Sequence, residues 1–435
     1  KEKGNMGLNG MVNISAGSAL DKFLPKANGS ASVSYSTKKF GFSASIDGRY
    51  DQRGRRSDNM KLLFGSEPNS LEAWMRSRRD GTEEGYSEGM KLGFDWYINQ
   101  KNTLTLSYTG RGQNTISDHT VINNINLIDS MSYRSLDQIT DGDRSGQFHT
   151  FSLNYQKKFN KPDQELMVDA NWNIGRFNRE SIQKIDYLND MFDTDYAFDK
   201  KDVTKANDDR AVVKINYTHP FSKELRLETG YNLNYSNRHS DYDYYFNGLS
   251  EKDTATSYVF HSTEYIHALY ATVGYTHGNW SGQLGLRGEI VRSTATKTME
   301  NKANTSFDKN YNPLFPTLHL SYQITPMQSA QFSYSRRINR PDMFSMMPNV
   351  DLSNPEHIRF GNPDIDPEYT NSLEIGYSHI FSKTTIFASA YYRQTNNRIS
   401  WFNFLWTEAN ARRYGFDWVL DIAGDEVDKG KLAMT

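Results

Sequence analysis

Hydrophobic and polar residues alternate along many short stretches of this chain. The clearest stretch is residues 103–108, TLTLSY, in which Leu104, Leu106 and Tyr108 alternate with hydroxyl-bearing residues. Successive side chains of a β-strand point to opposite faces, so this stretch predicts a strand with one apolar face and one polar face. Similar stretches recur from residues 31–36 to residues 414–420, and they predict about 17 strands in all.

The connections between these predicted strands alternate between short and long. Turns such as residues 99–102 and 221–224 have roughly 2 to 5 residues, whereas polar segments such as residues 51–85 and 178–209 predict loops of roughly 15 to 35 residues. This asymmetry is typical of an all-β, antiparallel transmembrane β-barrel of the outer-membrane type, with periplasmic turns, extracellular loops and apolar residues facing lipid. A soluble β-propeller would have more even connections and a repeated blade motif, and the sequence has no such repeat.

Composition removes several other classes of protein. Only 37% of the 435 residues are hydrophobic, and no run of about 18 apolar residues predicts a transmembrane helix. The net charge of -2 gives no electrostatic argument for nucleic acid, and the lack of Cys excludes disulfides and thiolate metal sites. No nucleophile elbow or zinc-protease motif is found, so we expect no enzyme activity, no metal and no cofactor. The aromatic content of 13%, including 27 Tyr, suits the aromatic girdles of a barrel.

Residues 333–369 form the most distinctive segment of the chain. Its five prolines interrupt any helix or strand, so it predicts an ordered, irregular loop between two strands. The sequence SRRINRP, followed by FGNPDIDPEYTNSLEIGY, resembles the outer-membrane β-barrel family related to TonB-dependent receptors. Members of that family carry an R-x-x-x-R-P element and then a G-N-P-x-L-x-P-E loop. Ile365 stands where the family usually has Leu.

The resemblance implies a domain organisation. Barrels of this family have about 22 strands in the full protein, so residues 1–435 are expected to be one barrel domain that is incomplete at its C-terminal end, with a plug domain upstream of residue 1. The implied function is import of a nutrient, either a metal chelate, a glycan or a peptide, across the outer membrane of a Gram-negative bacterium. The alternative is a non-transporting structural barrel within a multiprotein outer-membrane complex.

Expected partners also follow from the resemblance. They are outer-membrane lipid and lipopolysaccharide, the protein's own plug, a TonB-type energy-coupling protein and outer-membrane or surface lipoproteins.

Two groups of residues are candidates for function. The first is expected to contact a ligand or the plug, although its arginines also suit lipopolysaccharide phosphates at the outer rim; it comprises Arg336, Arg337, Asn339, Arg340 and Glu374. The second is the family motif, for which turn-forming chemistry is the simplest interpretation; it comprises Gly361, Asn362, Pro363, Pro367 and Glu368.

Further charged residues fall on the predicted lumen face, where they would line water or contact a plug. These are Asp47, Asp95, Asp169, Lys214, Arg226, Glu228, Arg287, Glu289, Glu374 and Asp417. Two acidic and aromatic clusters, residues 193–202 and 241–246, lie in predicted loops. They suit calcium or glycan contacts, but they lack the order of an EF-hand and also read as ordinary exposed loops.

Overall fold

The computed structural model of the chain describes residues 7–19, 24–64, 71–127, 133–189, 196–246, 250–254, 256–300, 304–346, 361–362 and 364–400. Within these residues there are sixteen strands and one short helix. The elements are β1 (Gly7–Ala19), β2 (Leu24–Ser36), β3 (Phe40–Phe64), β4 (Leu71–Asn99), β5 (Asn102–Leu127), β6 (Tyr133–Lys158), β7 (Glu165–Asn189), β8 (Tyr196–Pro220), β9 (Leu225–Phe246), β10 (Tyr258–His277), β11 (Trp280–Thr298), β12 (Thr305–Tyr311), β13 (Leu314–Thr325), β14 (Gln328–Asn339), α1 (Met343–Met346), β15 (Glu368–Phe381) and β16 (Thr384–Asn396). No helix among the described residues is long and apolar enough to cross a membrane.

All sixteen strands join one antiparallel sheet in which each strand pairs with its neighbours in sequence. The exception is β11, which pairs along one side with two strands, β12 and β13. These two strands are separated by Asn312 and Pro313. Because proline has no N–H, Pro313 cannot donate a hydrogen bond to the ladder. Its carbonyl still accepts a hydrogen bond from Glu289 N at 3.0 Å. β12 and β13 therefore occupy a single position beside β11.

The strand register aligns apolar residues into rows on one face of the sheet. One row runs from β3 to β9 through Phe42, Phe94, Leu106, Leu153, Ala170, Val213 and Leu233. Another runs from β9 to β16 through Leu227, Val273, Leu284, Leu318, Tyr334, Leu373 and Tyr392. Leu269 is 69% exposed and Leu284 is 63% exposed. Such a wide band of exposed apolar side chains is unfavourable in water and suits lipid, so we name it the outward face.

The opposite, inward face is polar. Thr105 pairs with Asp95 across β4 and β5, and its Oγ1 donates to Asp95 Oδ1 at 2.6 Å. The charged residues expected on the lumen side all lie on this face in the described residues; they are Asp47, Asp95, Asp169, Lys214, Arg226, Glu228, Arg287, Glu289 and Glu374. Asp417 lies outside the described residues. The prediction of which side chains face inward, made from the two-residue alternation, is therefore confirmed for these residues.

The prediction of long loops at residues 51–85 and 178–209 is wrong. β3 continues to Phe64 and pairs with β4 in one register from Asp51 opposite Gly85 to Leu63 opposite Ala73, and β7 and β8 likewise pair as far as Tyr187 opposite Tyr196. Beyond the apolar band both faces of a strand meet water, so the two-residue hydrophobic pattern is lost while the backbone ladder continues. The acidic clusters at residues 193–202 and 241–246 likewise fall in β8 and β9 wherever they are described.

The extra length divides β3 to β8 into two parts. These strands have 25 to 29 residues, whereas a membrane crossing needs only about 9 to 11. A single row of paired residues marks the start of the upper part; it comprises Asp51, Gly85, Thr115, Arg144, Arg179 and Thr204. We name residues 51–85, 115–144 and 179–204 the protruding part. The rest of β3 to β8, which carries the band of apolar side chains, is named the spanning part.

The short turns at the other end of the sheet are formed as predicted. Between β4 and β5, the Asn99 side chain accepts hydrogen bonds from the backbone N–H groups of Lys101 and Asn102 at 2.9 and 3.0 Å. Between β10 and β11, Gly278 adopts φ +56°, a conformation that glycine reaches without strain. Ring pairs gather on the outward face near these turns, including Trp280 with Tyr322 at 4.5 Å. They form an aromatic girdle of the kind found at membrane interfaces.

Candidate functional site

The two arginines of the R-x-x-x-R-P element contact different sides of the sheet. Arg336 follows Tyr334 by two residues on β14, so both side chains lie on the outward side of the sheet. Its guanidinium carbon is 4.8 Å from the centroid of the Tyr369 ring, a cation–π contact. Its Nε is buried and has no hydrogen-bond partner within the described residues. Arg336 is therefore placed beside the upper edge of the lipid-facing band, away from the lumen.

Arg340 instead reaches the inward wall. It donates from a terminal nitrogen to Glu289 Oε2, and its Nε donates to the Tyr311 hydroxyl at 3.2 Å. Arg287 Nε donates to the other oxygen, Glu289 Oε1, at 2.8 Å. The Glu289 side chain is only 5% exposed, and two charged donors satisfy its carboxylate, as a buried charge requires. We name Arg287, Glu289, Tyr311 and Arg340 the wall cluster.

The wall cluster depends on the break between β12 and β13. Tyr311 is the last residue of β12 and pairs with Val291, two residues beyond Glu289 on the inward side of β11. Glu289 is paired with Ala268 on β10, but the interruption at Pro313 leaves it without a directly opposed residue on the side of β12 and β13. Arg340, which follows the end of β14, binds at this position. The cluster thereby fixes the start of the proline-rich loop to a strand fifty residues earlier in the chain.

The remaining candidates on β14 and β15 face the lumen side. Arg337 and Glu374 are exposed on the inward face, opposite Thr370 and Ser333 respectively. Four residues of strand separate their levels, which is roughly 13 Å at the usual rise per residue. Hence they do not form one tight pair, and each is available to a molecule inside the barrel. Asn339 is engaged, because its Nδ2 donates to Glu368 Oε2 at 2.8 Å.

The G-N-P motif forms internal turn contacts. The Asn362 side-chain oxygen accepts from Asp364 N at 2.9 Å, which is an Asx turn, and Asn362 N donates to the Ser345 carbonyl at 2.8 Å. Gly361 and Pro367 are buried, and Pro363 lies outside the described residues. The contact with Ser345 joins the motif to α1, so the described portions of the predicted loop pack against each other.

Glu368 connects three segments at the rim of the sheet. Its carboxylate accepts from Asn339 Nδ2 at the end of β14 and from the backbone N–H of Ile399, which follows β16. The Asn339 hydrogen bond, followed by that of Ile399, lowers the pKa of Glu368 below its usual range. The motif glutamate therefore acts as a link between strand ends in this structure. Residues 347–360, the middle of the loop, lie outside the described part of the chain.

The two acidic and aromatic clusters are also partly tied into the sheet. The Tyr242 hydroxyl donates to Asp202 Oδ1 at 2.5 Å, and Lys252 Nζ lies 2.5 Å from Asp243 Oδ1. Across the ten described ranges, no three His, Asp or Glu side chains converge as a metal site would require. Residues 193–195 lie outside these ranges.

Several residues that the structure brings together are absent from the candidates named from the sequence. Tyr311 carried no motif, and its role in the wall cluster arises from pairing between distant strands. The arginines of the protruding part fall in segments that the polar pattern predicts as loops. A signal was present there, because Asp143 and Arg144 on β6, and Arg179 and Glu180 on β7, place opposite charges on opposite faces of a strand.

The structure thus has an outward apolar band, a charged inward face and tight turns at one end, which are the features of an outer-membrane β-barrel. A sequence profile of the outer membrane protein β-barrel family matches residues 157–412, more than half of the chain. The chain belongs to this family. The predicted fold class, an antiparallel transmembrane β-barrel of the outer-membrane type, is confirmed. Like other members, the protein is located in the outer membrane of a Gram-negative bacterium.

The solved structures with a similar fold include an uptake receptor, an import receptor and a transporter. The ferric yersiniabactin uptake receptor FyuA from Yersinia pestis aligns with a TM-score of 0.53 and 12% identity, covering 90% of this chain and 55% of that receptor. The ferric-catecholate import receptor Fiu from E. coli K12 gives 0.52 and 9%, covering 89% and 58%. The ferric citrate transporter FecA in its unliganded form gives 0.50 and 13%, covering 90% and 51%.

These likenesses show a shared fold at low identity. The chain spans about half the length of the receptors it matches. No curated protein sequence matches it.

Proposed function

We propose that this chain is the barrel of a receptor that imports a nutrient, a metal chelate, glycan or peptide, across the outer membrane. The observation that carries the proposal is the continuous polar inward face, which begins in the spanning part and extends into strands that protrude well beyond the apolar band. Charged residues that remain exposed on the inward side are available to contact a solute or a plug. Arg337 and Glu374 are such residues in this barrel.

In this proposal the barrel does not perform chemistry on its substrate. The protruding part receives the solute, and the inward wall contacts the plug and the passing solute through charged groups. Arg337 and Glu374 serve as lumen contacts. Arg340 and Glu368 hold the rim loop in place through the wall cluster and the strand-end link. Energy comes from a TonB-type partner that acts on the plug.

Solute depletion by cells tests the proposal. Wild-type cells and cells lacking the full-length protein are grown in a medium of chelates, oligosaccharides and peptides, and the medium is analysed by mass spectrometry. We expect one solute class to be depleted only when the protein is present, and depletion to stop when the proton-motive force is collapsed. A complementing variant with Arg337→Ala and Glu374→Ala should deplete that solute more slowly at normal protein levels.

The same two strains distinguish an import receptor from a structural barrel. A scaffold barrel would leave every solute equally depleted in both strains, and its loss would instead remove other outer-membrane proteins from the complexes isolated in detergent. That pair of results would contradict import.

A further inference from the structure

A small polar cavity lies on the inward side of the protruding part. The cavity has a volume of about 260 Å³ and is bounded by β3 to β7. Four arginines line it: Arg55, Arg79, Arg144 and Arg179. Successive side chains of a strand point to opposite faces. Each of these arginines is an odd number of residues away from an outward apolar residue of its own strand, so each lies on the inward face. The site described above does not use any of them.

Two of these arginines directly face each other. Arg144 on β6 pairs with Arg179 on β7, and the flanking members of their row are Thr115 and Thr204. Like charges directly opposite each other on a sheet are destabilising. Neither arginine forms an ion pair within the described residues, and both side chains are exposed to the cavity. Folding alone does not account for this arrangement.

Three acidic residues, Glu83, Asp143 and Glu180, also line the cavity. Glu83 forms an ion pair with Arg55. Asp143 and Glu180 are one residue from the facing arginines and therefore have outward parity, and Glu180 Oε1 binds Lys201 Nζ at 2.7 Å. Arg79, Arg144 and Arg179 form no ion pair with these carboxylates among the described residues.

Neutral hydrogen-bonding groups complete the lining. Ser117, Gln138, Thr140 and Gln183 surround the arginines. Gln138 Nε2 donates to Gln183 Oε1 at 2.7 Å, which fixes both amides. Burial, and then the positive charge of Arg79, lower the pKa of His119, so its imidazole is neutral near pH 7 and has an N–H to donate. Hydroxyl, amide and imidazole donors beside guanidinium groups form a suitable environment for anionic oxygens.

We propose that this cavity binds a small polyanion whose carboxylate or phosphate oxygens are held between Arg144 and Arg179, with Arg79 as a third contact. Guanidinium groups recognise such oxygens through paired N–H donors. Bound anion removes the repulsion between the facing arginines. The inference rests on the proposed import function, because it assigns a charge class to the imported solute and places its first contact above the membrane.

The test measures binding to the purified full-length protein by isothermal titration calorimetry at low ionic strength. Citrate supplies carboxylates, pyrophosphate supplies phosphates, and maltose is the neutral reference. We expect the wild-type protein to bind at least one of the two anions and not maltose. The double variant Arg144→Gln/Arg179→Gln should weaken that binding roughly tenfold or more, as expected when charge-assisted hydrogen bonds are lost.

A matched control changes the same charge on the opposite face. Arg56 and Arg78 have outward parity on β3 and β4 and lie near Asp80 and Asp58. The variant Arg56→Gln/Arg78→Gln should retain wild-type affinity. If both double variants bind the anion equally well, or if the wild-type protein binds neither anion, the inference is wrong.

Thermal unfolding separates binding from a structural role. Because a ligand that binds the folded state stabilises it, the anion should raise the melting temperature of the wild-type protein and leave that of Arg144→Gln/Arg179→Gln unchanged. Without anion, the double variant should melt at or above the wild-type temperature, since a repulsion has been removed. A lower melting temperature without anion would identify the arginines as structural and overturn the inference.

Failure of this inference is distinguishable from failure of the import proposal. If the arginines bind anion but cells show no protein-dependent solute depletion, import fails and the anion site stands. If depletion depends on the protein but the purified protein binds neither anion, import stands and the anion site fails.

Discussion

The spanning and protruding parts of β3 to β8 are built from the same ladders but follow different sequence rules. In the spanning part, apolar rows such as Phe94, Leu106 and Leu153 alternate strictly with polar rows. In the protruding part the ladder remains continuous, yet charged residues occur on both faces, as Asp143 and Arg144 show. Lipid therefore imposes the alternation, whereas the backbone hydrogen bonds need only an adjacent strand.

The comparison predicts which part reaches the outside of the cell, an all-or-none effect. The chain has no Cys, so a single introduced thiol reports its own position. Arg56→Cys in the protruding part should be labelled by a membrane-impermeant maleimide on intact cells. Ser222→Cys in a short turn should be labelled only after the outer membrane is opened. The reverse result would place the turns outside and invert the assigned topology.

A second prediction contrasts two outward residues of β5. Leu106 is 41% exposed in the spanning part, and Ile116 is 51% exposed in the protruding part. Leu106→Arg should cost about 2 to 4 kcal/mol of unfolding free energy, because a cation is placed in hydrocarbon near the midplane. Ile116→Arg should change it by no more than about 0.5 kcal/mol, because its side chain meets water. Equilibrium unfolding in lipid vesicles measures both values.

Thr105→Arg serves as the control for Leu106→Arg, because Thr105 lies on the inward face of the same strand. It should cost much less than Leu106→Arg. Equal costs at these two positions would refute the face assignment.

A third prediction compares a carboxylate of the wall cluster with one in the protruding part. Glu289→Gln should destabilise the barrel by about 2 to 3 kcal/mol, somewhat less than the loss of a fully buried partner, because Arg287 and Arg340 keep some contact with solvent. Glu83→Gln should cost about 1 kcal/mol or less, because Arg55 is 60% exposed in the protruding part. Vesicle unfolding again provides the measurement. A smaller effect at Glu289 than at Glu83 would mean that the wall cluster does not stabilise the fold.

The smallest expected effect is a pH dependence confined to the protruding part. The pKa of His119 is lowered first by burial and then by Arg79, with Arg55 acting in the same sense and Asp118 and Glu83 opposing it. The folded state thus binds this proton more weakly than the unfolded state, whose pKa is about 6.5. Stability should decrease as pH falls below that value toward the lowered pKa.

His119→Gln tests this dependence. Its unfolding midpoint should fall less between pH 8 and pH 5.5 than that of the wild-type protein. The variant His219→Gln, near a turn at the opposite end of the sheet, leaves His119 intact and should retain the wild-type dependence. An identical pH response in His119→Gln and wild type would contradict the prediction.

Inspection of the sequence located the spanning strands, their faces and the tight turns, because each leaves a local trace. The alternation at residues 103–108 fixes the two faces of β5, and Gly278 marks a turn that needs a positive φ. The strand ends were misassigned at residues 51–85 and 178–209, where water on both faces removes the pattern. Arg336 and Arg337 fall in the segment predicted as a loop, whereas β14 extends to Asn339, and the placement of these two arginines on opposite faces was not predicted.

What the sequence by itself determined is the class of fold and the environment of each face, since both depend on a period of two residues and on the solvent that each side meets. Only the tertiary structure decided which distant side chains meet. Arg340 reaches Glu289 because β12 and β13 break at Pro313, and Arg144 faces Arg179 because the β6 and β7 ladder continues above the membrane. Register between strands sets these contacts, and register is a property of paired strands that no single stretch of sequence contains.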